Sequence, residues 1–283
     1  MRHVYINGEF KREDEAKVSV FDRGLLFSDS LYEVTTVING KLIDFNNHMK
    51  RLDRSMTELK FKKLLNHLDI LIFHRKLIEL NNLKEGMIYL QVTRGTADRS
   101  FDMPKDKIEP TVLAFTQEKI IIDSESAKNG IKVMTLDDMR WKRCDIKTTQ
   151  LLYASMAKTE ATEKGFDDAW MLREGYITEG SSSNAWIIKG KIIMTRQSDN
   201  LILSGITRDA IFKCAKDLGY EVVTKNISLP DAQSASEAFI TSATACVMPV
   251  VKINNNQIGD GKPGKFVIAL REEYIKQALQ SAI

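Results

Sequence analysis

Apolar and polar positions alternate in short runs joined by two-residue turn signals. Val4–Ile6 and Glu9-Phe10 flank Asn7-Gly8, and Thr35–Ile38 and Lys41–Asp44 flank Asn39-Gly40. Trp170–Leu172 and Gly175–Thr178 flank Arg173-Glu174, and Ala185–Ile188 and Lys191–Met194 flank Lys189-Gly190. Runs of this kind predict β-hairpins rather than parallel crossovers. A helical period takes over from Asn47 to Lys60, where Met49, Leu52, Met56 and Leu59 share one stripe, and returns over 66–81, 149–164, 207–218 and 264–281. The mixture predicts an α+β fold with largely antiparallel strands.

The polar stretch from Gln117 to Gly130, broken only by Ile120–Ile122, is the best candidate linker. It predicts a boundary near residue 122, with one α+β domain over 1–122 and a second over 123–283, each of ordinary domain size.

Composition narrows the function classes. A hydrophobic share of 43% beside 28% charged residues excludes a disordered chain or a fibrous repeat, and a formal net charge of +3 favours no polyanionic partner such as nucleic acid. No apolar run approaches the ~18 residues of a membrane span. The opening MRHVYINGEF is polar by its seventh residue, and Cys144, Cys214 and Cys246 are an odd set without CxxC spacing, so a cytoplasmic location is expected. His3, His48, His67 and His74 lack neighbours at ligand spacing, which predicts no metal site. Gly259 to Gly264 spells GxGxxG, but it follows a polar turn and holds Pro263, so it reads as a connecting loop. No GxSxG surrounds any serine, which leaves hydrolase chemistry without support.

Four segments carry candidate chemistry. Lys147 stands between the strand-like IKVMTL and a helix start read as capped by Thr148 or Thr149, with Arg140, Lys142 and Arg143 upstream. Nearby cations lower the cost of a neutral, nucleophilic amine, although the segment alone also reads as a basic surface turn. Thr178-Glu179-Gly180-Ser181-Ser182-Ser183-Asn184 puts a carboxylate at a strand end beside short polar side chains; it also reads as a serine-rich hairpin loop. Leu203-Ser204-Gly205-Ile206-Thr207-Arg208 opens a helix whose first amides suit a phosphate, and capping by Ser204 or Thr207 explains the same letters. Thr241–Ala245 is a small-residue segment after a strand, and Arg51, three residues after His48, is by itself a solvated arginine.

Taken together the sequence resembles the fold-type IV pyridoxal-phosphate aminotransferases, and among them the D-amino acid aminotransferases. The likeness spans nearly the whole chain through FDRGLLFSDSLYEV (21–34), FNNHMKRLDRS (45–55), VTRGT (92–96), RWKRCDIKT (140–148), TEGSSSN (178–184), LSGITRD (203–209) and FITSATACVMPV (239–250), in that order. The resemblance implies a two-domain fold with pyridoxal 5'-phosphate in the cleft between the domains. It implies that Lys147 holds the cofactor as a Schiff base, that Glu179 faces the pyridine nitrogen with Arg140 nearby, and that Arg51 grips the phosphate with Ile206, Thr207, Ser242 and Ala243. The implied activity is ping-pong transamination between a D-amino acid and a 2-oxo acid, pyruvate or 2-oxoglutarate.

For the substrate carboxylate the resemblance implies Tyr32 and Arg99, and a homodimer in which the Arg99 loop serves the neighbouring subunit. Phe101 stands where the family has histidine, and Asp98 adjoins Arg99, which leaves an (R)-amine aminotransferase as an alternative. Branched-chain aminotransferases and aminodeoxychorismate lyases share the lysine and the phosphate-binding residues. A non-catalytic module on the same scaffold has no use for Lys147 and Glu179 together.

Overall fold

A computed structural model describes residues 1–105 and 108–283. The chain divides into two compact units, Met1–Ile120 with Ile146–Gln150 and Ser281–Ile283, and Ile121–Asp145 with Leu151–Gln280. The single cut near residue 122 therefore does not express the return of the lysine segment, Ile146–Gln150, to the first unit. No described helix is long and apolar enough to cross a membrane.

In the first unit the elements are β1 (His3–Ile6), β2 (Glu9–Arg12), α1 (Arg23–Phe27), β3 (Ser30–Ile38), β4 (Lys41–Leu42), α2 (Phe45–Glu58), α3 (His67–Leu80), β5 (Glu85–Thr93) and β6 (Val112–Glu118). The strands form one antiparallel sheet in the order β2-β1-β6-β5-β3-β4. Asn7 (φ 48°) and Gly8 (φ 96°) supply the left-handed turn that hairpin twist demands between β1 and β2. The stripe read from the sequence does become core: Met49, Leu52 and Met56 of α2 are buried with Leu31 and Val37 of β3 and with Ile146.

The second unit holds α4 (Glu125–Asn129), β7 (Ile131–Asp137), α5 (Leu152–Glu163), β8 (Asp168–Arg173), β9 (Tyr176–Gly180), β10 (Asn184–Lys189), β11 (Ile192–Thr195), α6 (Ile206–Asp217), β12 (Glu221–Thr224), β13 (Ile227–Ser228), α7 (Leu229–Gln233), β14 (Glu237–Ser242), β15 (Cys246–Ile253), β16 (Asn256–Gln257) and α8 (Lys265–Gln280). Its sheet runs β12-β11-β10-β14-β15-β7-β8-β9-β13, with β16 beside β15. Three of these pairings are parallel, β11 with β12, β15 with β7, and β7 with β8, so this sheet is mixed.

Two turns sit one residue later than expected. Arg173 pairs with Tyr176 around Glu174 (φ 55°) and Gly175 (φ 79°), and Lys189 pairs with Ile192 around Gly190-Lys191. In both cases the glycine is drawn to a left-handed turn position. The GxGxxG letters form the loop before α8, and that helix start is already occupied: the Glu237 carboxylate accepts from the Phe266 and Val267 amides at 3.3 and 2.9 Å.

His74 of α3 is fully buried, with Nδ1 2.8 Å from the Ile70 carbonyl oxygen and Nε2 without a partner. Burial, aided by the charge of His48 and opposed by the Ile70 contact, lowers its pKa to about 3. The unfolded chain takes up a proton on this ring near its ordinary value of 6.5 while the folded chain does not, so stability falls as pH drops from 6.5 toward 3. We expect the urea midpoint to decline between about pH 7 and pH 5, and to decline less in His74→Leu. Parallel pH profiles for the two proteins would contradict this.

Candidate active site

Lys147 is held against the start of β3. The Tyr32 amide donates to the Lys147 carbonyl at 3.0 Å, the Thr149 amide donates to the Ser30 carbonyl at 3.2 Å, and Leu31 bridges Thr148. The threonines therefore do not cap α5, which starts at Leu152 without a side-chain cap; the Thr149 hydroxyl meets that of Ser30 instead. Stitched this way, the Lys147 ammonium stands 4.1 Å from the centroid of the Tyr32 ring, which stacks on Tyr89. A cation over an aromatic face is stabilised by about 0.5–1 kcal/mol where exposed and by more where desolvated. The geometry thus unites Lys147 with Tyr32.

Glu33, the next residue of β3, points to the opposite face, as strand alternation requires. There its carboxylate accepts from Arg51 Nε and Nη2, both at 2.8 Å, and lies 2.7 Å from His48 Nδ1. Burial alone would raise the Glu33 pKa, but the charge and hydrogen bonds of Arg51, with the His48 contact, overcome it and hold the group at about 2. Arg51 is accordingly not a solvated arginine: its side chain is 9% exposed and two of its nitrogens are committed to Glu33. Sequence reasoning misses Glu33 and His48 as site residues. The three-residue spacing of His48 and Arg51, which puts both on one helix face, is the available signal.

The Arg99 loop is tethered by Arg23, whose Nη1 donates to the Ser100 carbonyl at 2.9 Å while its Nε pairs with Asp29. Arg99 lies over two rings, 5.5 Å from the Phe27 centroid and 5.4 Å from that of Phe101, which is 83% exposed. No ion pair joins Asp98 to Arg99 among the described residues.

In the second unit Glu179 is the penultimate residue of β9 and is buried. Its Oε1 accepts from Arg140 Nη1 at 2.6 Å, and its Oε2 accepts from Asn184 Nδ2 at 3.0 Å and the Leu203 amide at 3.1 Å. Burial raises its pKa, the charge and hydrogen bond of Arg140 and the Leu203 amide pull against that rise, and Asp138 adds to it. Arg140 therefore stands beside Glu179, as the resemblance implies, whereas sequence reasoning assigns Asn184 no individual role and does not single out Asp138. Asn184 lies within the TEGSSSN string; nothing local marks Asp138, whose partners come from β9 and from its own turn.

Helix α6 begins at Ile206, and its N-cap is Gly205, which has no side chain to offer, rather than the Ser204 or Thr207 that the letters allow. Thr207 is buried in that first turn. Ser242 ends β14, its hydroxyl accepts from the Ala245 amide at 3.2 Å, and Ala243 follows in the turn to β15. Buried Arg271 of α8 braces that turn by donating to the Ala245 and Val247 carbonyls at 2.8 Å.

With this geometry in hand, comparison with known proteins identifies the class. The chain belongs to the amino-transferase class IV family, whose model matches residues 30–253. It is 37% identical over 276 residues to a D-alanine aminotransferase of Staphylococcus aureus (strain MSSA476), covering 98% of each chain. It is 36% identical over 280 residues to that of Bacillus licheniformis, covering 99% of this chain and 96% of the other. Among solved structures it is similar to a T.th. branched-chain amino acid aminotransferase complexed with N-(5'-phosphopyridoxyl)-L-glutamate, with a TM-score of 0.90 and 26% identity over 99% of this chain and 94% of that one. The Escherichia coli branched-chain enzyme, at 24% identity and a TM-score of 0.90 over 98% and 94% of the two chains, shares the fold. The protein is an aminotransferase of fold type IV, acting on amino acids and 2-oxo acids.

Gly205 tests the geometry without touching a charged group. A Cβ there would lie 2.2 Å from Asn184 Oδ1 and 3.2 Å from Arg208 Cβ, and Asn184 is already committed to Glu179 and to the Leu203 carbonyl. Gly205→Ala is expected to lower unfolding stability by roughly 1–3 kcal/mol in urea titrations. An unchanged stability would show that Asn184 moves aside freely.

Proposed function

We propose that this aminotransferase uses pyridoxal 5'-phosphate and transfers the amino group of a D-amino acid to a 2-oxo acid, pyruvate or 2-oxoglutarate, by a ping-pong mechanism. The observation that carries the substrate class is the 37% identity to D-alanine aminotransferase over 98% of both chains.

The residues fit the cofactor. A glycine N-cap puts no side chain of its own on the first-turn amides of α6, which suit a phosphate, Lys147 offers an amine beside an aromatic face, and Glu179 is a buried carboxylate steadied by three donors. In this reading the Ile206 and Thr207 amides, with Ser242, Ala243 and Arg51, hold the phosphate, and Lys147 carries the cofactor. When bound, the cofactor supplies an electron sink for the pair left behind as the substrate's Cα proton departs. Glu179 keeps the ring nitrogen protonated, which a neutral side chain would do poorly. Lys147 Nζ, once free, takes the Cα proton. Tyr32 and Arg99 hold the substrate carboxylate.

A homodimer belongs to the same proposal. Val18, Val20, Phe21 and Leu25 lie at 49, 69, 51 and 69% exposure, apolar area close along the chain that self-association would cover.

The exposed Phe101 ring beside Arg99 favours one second reading, an (R)-amine donor that needs no carboxylate contact. The two separate in one experiment. With the cofactor bound and no oxo acid present, D-alanine should abolish the visible band while L-alanine leaves it unchanged. Consumption of (R)-phenylethylamine with D-alanine and D-glutamate inert would replace the D-amino acid reading.

Two substitutions extend the test. Lys147→Ala should lose the visible band and all but a trace of turnover; full turnover in that variant would remove the lysine from the mechanism. Phe101→His adds a carboxylate contact of about 1–3 kcal/mol, so the KM for D-alanine should fall by roughly tenfold. An unchanged KM would place Phe101 away from the carboxylate.

A further inference from the structure

Arg140 is shared between two carboxylates. Its Nε and Nη2 grip Asp138 Oδ1 and Oδ2 at 3.0 and 2.9 Å, and its Nη1 alone reaches Glu179 Oε1, at 2.6 Å. The Asp138 side chain is 0% exposed, and its Oδ2 also accepts from the Thr178 hydroxyl at 2.7 Å, one residue before Glu179. Arg173 of β8 lies 3.4 Å from Asp138 Oδ1 and donates to the Asp138 and Arg140 carbonyls at 3.1 and 2.9 Å. The cluster thus sets two buried anions against two cations.

Such an arrangement does more than steady Arg140. A hydrophobic or neutral residue at 138 would leave Glu179 without a competing carboxylate on the guanidinium, whose Nη2 also donates to the Leu201 carbonyl at 3.3 Å, and an arginine not shared with a second anion makes a carboxylate a weaker base. Asp138 instead claims the bidentate side of the fork, the stronger of the two contacts. Burial would push the Asp138 carboxyl up, but Arg140 and Thr178 outweigh it and hold the group below the usual range, so the charge is present. Among the described residues the charges of the pair are also felt by Tyr153, by Cys144, whose thiol burial pushes up to about 11, and by Arg208.

We propose that Asp138 is a positioning residue of the aminotransferase site: by holding two nitrogens of Arg140 it keeps Glu179 basic enough to hold a proton on the ring nitrogen of the cofactor. The inference rests on the assignment of Glu179 as the ring-nitrogen partner. It implies that a negative charge not in contact with substrate sets the strength of the electron sink.

The test uses the holoenzyme loaded with cofactor labelled with nitrogen-15 in the ring, and follows its chemical shift with pH. Asp138→Asn, which keeps shape and removes charge, should lower the midpoint of ring-nitrogen protonation by about one pH unit and turnover by about tenfold. Arg173→Gln removes a cation from the same cluster and should move the midpoint upward. General loosening of the site would shift both variants the same way, and that result overturns the proposal. Glu179→Gln should lower the midpoint most, and adding Asp138→Asn to it should change little further. A midpoint that moves in Glu179→Gln but not in Asp138→Asn overturns the role of Asp138 alone; one that moves in neither overturns the Glu179 assignment with it. Should Asp138→Asn fail to fold, Arg173→Gln decides, because an unchanged or lowered midpoint there contradicts the charge argument.

Discussion

A carboxylate taken out of water has to be met by hydrogen bonds and positive charge, or it gives up its ionisation. Each unit of this protein buries such groups beside its candidate site residues. In the first, Glu33 receives two nitrogens of Arg51 and lies against His48; in the second, Glu179 receives Arg140, Asn184 and the Leu203 amide. The outcomes differ. Glu33 is driven to about 2, a fixed charge that does not titrate in ordinary conditions, whereas burial wins at Glu179 and raises it. A carboxylate that is paired yet still basic suits a partner that carries a proton, and one that is saturated suits holding an arginine in place.

The scaffold makes both arrangements by the same route, setting polar groups on strands whose neighbours are apolar. β3 alternates, so Tyr32 meets Lys147 on one side while Glu33 meets α2 on the other, between Leu31 and the buried threonine at 35. β9 carries Glu179 and ends at Gly180, whose amide donates to the Ser183 carbonyl at 2.7 Å, which returns the chain directly into β10 and brings Asn184 back to the Glu179 carboxylate. Gly205 then allows α6 to begin against Asn184, where a side chain would collide. Loops with small residues are needed here because the polar groups approach closely.

Much of this is legible in the sequence. Hairpin and helical periods locate the four hairpins and five of the helices, because local patterning and turn chemistry decide those. The turn residues at 173–175 and 189–191 slip by one, since either register keeps the same apolar face in the flanking run until pairing is known. The caps at Thr149 and Thr207 fail because their hydroxyls have better uses or lie buried, a matter of tertiary contact. Lys147, Glu179 and Arg51 stand out only as members of ordered motifs. Glu33 and Asp138 do not stand out, and His48 shows only through its spacing to Arg51, because a buried ion pair is defined by its partner, and their partners lie 18, 2 or more, and 15 residues away in other elements or turns.

We propose that Glu179 faces the cofactor's ring nitrogen while Lys147 carries the cofactor. A crystal structure of the protein with pyridoxal 5'-phosphate tests this most directly. We predict continuous density from Lys147 Nζ to the cofactor, the Glu179 carboxylate within hydrogen-bonding distance of the ring nitrogen, and the phosphate on the first-turn amides of Ile206 and Thr207. A ring nitrogen turned toward an uncharged group, with Glu179 bound only to Arg140 and Asn184, would contradict it.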